Sequence, residues 1–127
     1  MSSLKFRLSS MEHLEKAKRN KEILFNHLLQ FIERCPEWIT VVAFYSALHF
    51  VDAYFAKLGL HFQHHQERNR EVEYSLPDIF LAYYRLYDLG VNSRYGCIKD
   101  NPTSEEAKDV IKEDLPKVVK FIQGLVH

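Results

Sequence analysis

The densest chemistry in the sequence lies in seven consecutive residues, His64-His65-Gln66-Glu67-Arg68-Asn69-Arg70. An imidazole can take or give a proton near neutral pH, and a guanidinium can hold the extra negative charge of a phosphorane-like transition state. His64, His65, Arg68, Asn69 and Arg70 are therefore candidate catalytic residues for cleaving a phosphodiester without a metal. If the segment opens a short helix, unpaired N–H groups would also face a phosphate. The plain alternative is a polar, solvent-facing loop between helices.

A second pair, His49 and Asp52, stands three residues apart in the most apolar stretch of the chain, hence on nearly one helix face. A carboxylate there needs partners. Arg94 or Arg68 could supply one, giving a structural polar network or, with Tyr95, the lining of a groove between helices. Substitution of Asp52 is expected to destabilise the fold.

His61, His64, His65, His49 and Asp52 also form a histidine-dense neighbourhood. There is no H-E-x-x-H helix and no repeated E-x-x-H, and adjacent histidines seldom point at one ion, so no metal site is expected. Phosphate-loop and dinucleotide signatures are absent, and no cofactor is expected. Cys35 and Cys97 read as ordinary thiols, since no neighbouring feature lowers their pKa. Tyr83, Tyr84 and Tyr87 read as core or dimer-interface aromatics ahead of base-stacking ones.

The elements that must position these groups are all helical. Apolar residues at helical spacing, including Leu14, Ala17, Leu24, Leu28 and Phe31, predict a first helix from about Ser10 to Arg34. Its other side carries Lys16, Lys18, Arg19 and Lys21, which reads as a solvated face. Pro36 is suited to the first position of a second helix ending near Leu58, with Gly59 as its stop. The segment from Glu67 to Leu76 could form a short third helix. A fourth starts at Leu76-Pro77-Asp78 and continues towards Tyr95, weakened at Gly90 and ended at Gly96. Asn101-Pro102 makes a turn, Thr103 and Glu106 fit a capping box for the last helix, and Pro116 is expected to kink or divide it. No stretch shows period-two alternation or a hairpin dipeptide. The expected fold is all-α, an up-and-down bundle of four to five helices forming a single domain over residues 1–127.

Composition limits the function classes. Seventeen basic residues balance seventeen acidic ones in 127 residues, so no global field announces a polyanionic or membrane partner. The stretch from Trp38 to Ala56 is almost long and apolar enough to span a bilayer, but it carries His49 and Asp52. It reads as a central packed helix, with no membrane partner expected. The N-terminus lacks a signal-peptide core and the cysteines are sparse, which points to the cytoplasm.

The second helix, Phe44-Tyr45-Ser46-Ala47-Leu48-His49-Phe50 through Ala53 and Leu58-Gly59, resembles the second helix of HEPN domains. Tyr84-Arg85-Leu86-Tyr87 followed by Ser93-Arg94-Tyr95-Gly96 resembles that family's fourth-helix pattern. The likeness covers roughly residues 36 to 96. It implies a helical bundle that usually pairs as a homodimer, found among RNA-cleaving toxins, CRISPR-associated ribonucleases and partners of small nucleotidyltransferases, many of them catalytically silent. Active members place a histidine about four to six residues after an arginine. The match here is Arg7 to His13, an interval that this arginine and histidine content yields about once by chance, and it falls ahead of the first helix rather than in the later ones.

Three functions therefore stand open. The first is a dimeric RNA- or nucleotide-related interaction module that works with a nucleotidyltransferase or antitoxin partner. The second is a metal-independent ribonuclease using the His64 to Arg70 segment. The third is a structural or metal-binding bundle.

Overall fold

A computed structural model describes residues 7–92 and 102–126 of the chain. Helix α1, Ser10–Ile23, starts on a capping box: Glu12 N–H donates to Ser9 Oγ at 3.1 Å and Ser9 N–H to Glu12 Oε1 at 2.9 Å. The expected helix to Arg34 does not stay regular. It widens to a π turn over Leu24–Leu28 and tightens to a 3₁₀ turn over Leu29–Phe31. The change of pitch re-aims the apolar residues, so that Leu24 is fully buried while Phe25 and Phe31 are left exposed.

Helix α2, Pro36–Lys57, opens with proline at its first position, where no N–H is needed. It closes on Gly59 at φ +80°, with Leu60 N–H donating to Phe55 O and Gly59 N–H to Ala56 O, the paired bonds of a Schellman stop. Helix α3 is His65–Ser75. Helix α4 is Pro77–Tyr87, followed by a π turn over Asp88–Asn92. Helix α5 opens at Ser104–Asp109 on the Thr103/Glu106 capping box, passes through a π turn at Val110–Asp114 and continues over Leu115–Val126. Pro116 sits in the first turn after that irregularity, where its missing N–H costs little. Five helices in all are described, with no strand among the described residues. Arg94, Tyr95, Gly96 and Cys97 lie outside them.

The bundle is organised around α2. Its small residues Ala43, Ser46, Ala47 and Ala53 are fully buried and let neighbours approach closely. Ser46 Oγ donates to Ala17 O at 2.9 Å and Ser10 Oγ to Ala53 O at 2.6 Å, locking α1 against α2 with polar groups that would otherwise be stranded. On the opposite side Thr40 Oγ1 donates to Leu89 O at 3.3 Å. Gly90 sits so close there that a Cβ would stand 2.6 Å from Phe44 Cβ and 2.8 Å from Thr40 O. Helix α2 is long and apolar enough to cross a membrane by length and composition, yet 67% of that apolar window is buried within the bundle. Its hydrophobicity is used by packing on nearly every side.

A histidine-lined candidate site

At one end of the bundle, α1, α2 and the start of α3 enclose an open cleft of about 660 Å³, with the connection from Leu60 to His64 along its rim. His13 from α1, His49 and Asp52 from α2, His61 and His64 from the connection, and His65 and Arg68 from α3 all line it, as does Arg7 ahead of α1.

The floor is an ion pair. Arg68 Nε donates to Asp52 Oδ1 at 2.9 Å, with the two side chains 6% and 9% exposed, so both charges are held away from water. One further guanidinium nitrogen donates to Phe62 O at 2.8 Å and the other stands 3.3 Å from His65 Nδ1. Arg68 thus joins α2, the connecting loop and the first turn of α3. It is the partner that Asp52 was expected to need. Burial pushes the Asp52 carboxyl above the ordinary carboxylate range, and the adjoining guanidinium opposes that rise.

Above this pair His13 Nδ1 meets His49 Nδ1 at 2.9 Å, their rings 5.2 Å apart. One imidazole must donate and the other accept, so at least one of them is neutral at Nδ1. Burial lowers both to about 4, helped for His13 by the charges of His61 and Arg68. Near neutral pH these two rings are therefore hydrogen-bonding groups without charge. His65 is also lowered, chiefly by burial, and packs edge-on against Phe44 and Tyr45 and tilted against Tyr87.

The segment from His64 to Arg70 is split by the helix it forms. His64, His65 and Arg68 face the cleft, whereas Asn69 and Arg70 face a second groove between α3 and α4. Of the five catalytic candidates, the structure gathers three, and the guanidinium among them is occupied by Asp52. His49 and Asp52 line the cleft as a groove-lining pair would. Arg94 and Tyr95 lie outside the described residues. No group of three or more His, Cys, Asp or Glu side chains that could hold a metal ion occurs among the described residues.

In sequence the Arg7 to His13 interval is indistinguishable from a chance match lying ahead of the first helix. In the structure His13 is in the first turn of α1, and both residues line the cleft. Spacing could not distinguish this from coincidence; only the packing of α1 on α2 brings His13 to His49. The backbone carbonyl of Phe62 leaves no trace in a residue pattern at all. Of the three tyrosines, Tyr83 is fully buried as core, while Tyr84 is 40% exposed. No protein-family model, curated protein or solved structure matches the chain.

Proposed function

We propose that the chain is a HEPN-like module that binds an RNA strand in the histidine cleft, and that it acts as a cytoplasmic homodimer with a nucleotidyltransferase or antitoxin partner. The observation that carries the RNA reading is the gathering of His13, His49, His61, His64 and Arg7 around one open cleft. Phosphodiester oxygens only accept hydrogen bonds, and imidazole and guanidinium N–H groups are the donors that suit them. Two carboxylates line the cleft among the described residues, Asp52, which is engaged by Arg68, and Glu67. The resemblance of residues 36 to 96 to HEPN domains points to the same ligand class and to the homodimer.

Fluorescence anisotropy with a labelled RNA oligomer at low salt tests this reading. Arg7→Ala with His64→Ala should weaken binding by about tenfold or more and flatten its salt dependence. Binding of unchanged strength and salt slope in this variant defeats the reading.

A second reading, cleavage of the bound RNA without metal, is favoured by the 2.9 Å contact of two neutral imidazoles in the cleft. One imidazole would take the proton of a ribose 2′-hydroxyl as that oxygen attacks phosphorus. A second imidazole of the cleft, entering as the imidazolium, would protonate the leaving 5′-oxygen, giving a 2′,3′-cyclic phosphate and a 5′-hydroxyl end. Cleavage in excess chelator that is lost in folded His13→Gln and in folded His64→Ala/His65→Ala proteins would support it. Absence of cleavage above a mock purification leaves RNA binding alone.

A further inference from the structure

The groove on the other side of α3 has a composition unlike that of the histidine cleft. Phe80, Tyr84 and Tyr87 stand on one face of α4 as a ladder, with ring centroids 5.7 and 5.5 Å apart. Facing them from α3 are Asn69, Arg70 and Glu73, and together they enclose about 420 Å³, within the range of small-ligand sites. Tyr84 is 40% exposed, so part of its ring is open to a ligand in the groove.

Two features of the facing wall point to a ligand. Asn69 is 91% buried by its 9% exposure, yet its Oδ1 accepts no hydrogen bond. A buried acceptor without a donor is costly, and such atoms are rare enough to need a reason. Arg70 is exposed and forms no ion pair with any described carboxylate. A flat π-face, an unmet acceptor and a free guanidinium within one groove match the three parts of a nucleotide: base ring, exocyclic amine and phosphate.

We infer that the α3–α4 groove holds one unpaired nucleotide whose base carries an exocyclic amine, adenine, cytosine or guanine in preference to uracil. The base stacks on Tyr84, with the Phe80 and Tyr87 rings tilted 46° and 51° to it on either side; its amine donates to Asn69 Oδ1, and Arg70 meets the phosphate. Because Oδ1 is buried in the unliganded protein, the bound state requires α3 to open slightly from α4. Glu73 offers a second acceptor for an amine and repels further phosphates, which limits the site to a single nucleotide. The groove adjoins the histidine cleft at His65, whose ring lies 5.5 Å from that of Tyr87, so one strand could occupy both. That the nucleotide belongs to an RNA strand rests on the RNA reading above; the base preference rests on the groove alone.

The test uses the full chain. Anisotropy is measured with labelled oligo(A), oligo(C) and oligo(U), and calorimetric titration with free AMP, CMP and UMP. Amine-bearing bases should bind about fivefold tighter than uracil, the effect of one hydrogen bond. Tyr84→Ala, at an exposed position, should weaken the amine-bearing ligands about tenfold. Asn69→Ala, with its fold verified by circular dichroism, should abolish the preference for amine-bearing bases over uracil. Should Asn69→Ala not fold, Tyr84→Ala and the base ranking decide alone. AMP and CMP binding that needs Tyr84, without binding of any oligomer, would uphold the groove and defeat the RNA reading. RNA binding with no base preference and no dependence on Tyr84 would overturn the inference and leave the cleft reading intact. Absence of binding by every oligomer and nucleotide overturns both.

Discussion

Neutralising Asp52 should show how much of the fold depends on the charge pair beneath the histidines. Asp52→Asn keeps the shape and leaves an oxygen to accept from Arg68 Nε, but removes the counter-charge of a guanidinium whose side chain is only 6% exposed. Losing one member of a buried pair typically costs about 3–5 kcal/mol, because the other charge is left in a poorly solvated place. Arg68 keeps its bond to Phe62 O at 2.8 Å and its contact with His65, so the lower end, about 3 kcal/mol, is expected for Asp52→Asn. Asp52→Ala adds a void and should cost about 1 kcal/mol more. Replacing both charges together, as in Asp52→Leu/Arg68→Met, should recover most of the loss, since an apolar pair needs no compensation. Urea unfolding followed by circular dichroism at pH 7 measures these proteins together with the single variants Asp52→Leu and Arg68→Met, and for a chain of this size a 3 kcal/mol loss corresponds to roughly 10 °C in Tm. The reasoning fails if Asp52→Asn costs under about 0.5 kcal/mol, or if the double variant is as unstable as the two single losses added.

Acid should weaken the fold through His13 and His49. Their folded pKa values of about 4 lie below the ordinary 6.5, so the unfolded chain binds more protons between those limits. The pair's contribution is full above pH 6.5 and is lost as pH falls towards 4; His13→Gln/His49→Gln should flatten the unfolding midpoint over that window, and an unchanged pH profile would contradict the assignment. Gly90→Ala would press a methyl into Phe44 Cβ at 2.6 Å and Thr40 O at 2.8 Å. A loss of about 2–3 kcal/mol in urea unfolding is expected, and a neutral outcome would mean that α4 can move off α2. Tyr83 is fully buried and its hydroxyl finds no partner among the described residues. Tyr83→Phe should therefore be neutral or stabilising by up to about 1 kcal/mol, and a loss beyond that would reveal a bond its hydroxyl makes.

The helix boundaries were legible wherever one residue type sets local backbone chemistry. Pro36 could only open α2 without losing a hydrogen bond, Gly59 could adopt φ +80° without strain, and Thr103 and Glu106 could satisfy each other's backbone N–H groups. The need of Asp52 for a cation was legible too, because a carboxylate amid apolar residues has few other solutions. The three π turns among the described residues have no sequence signature, since they insert a residue into the helical ladder without any required residue type.

The site depended on what local rules do not contain. Seven adjacent residues carry the right chemistry, but the rotation of α3 turns Arg68 towards Asp52 and sends Asn69 and Arg70 into another groove. His13 and His49, thirty-six residues apart, meet only because small residues on α2 let α1 lie against it. Sequence by itself determined an all-helical chain, its main stops and starts, and the demand for a buried charge partner, all of which arise from backbone hydrogen bonding and burial. Tertiary structure alone decided which imidazoles and guanidiniums share a cleft, because a pairing of side chains distant in sequence is set by how two helices rotate and pack, which residue spacing along either one does not encode.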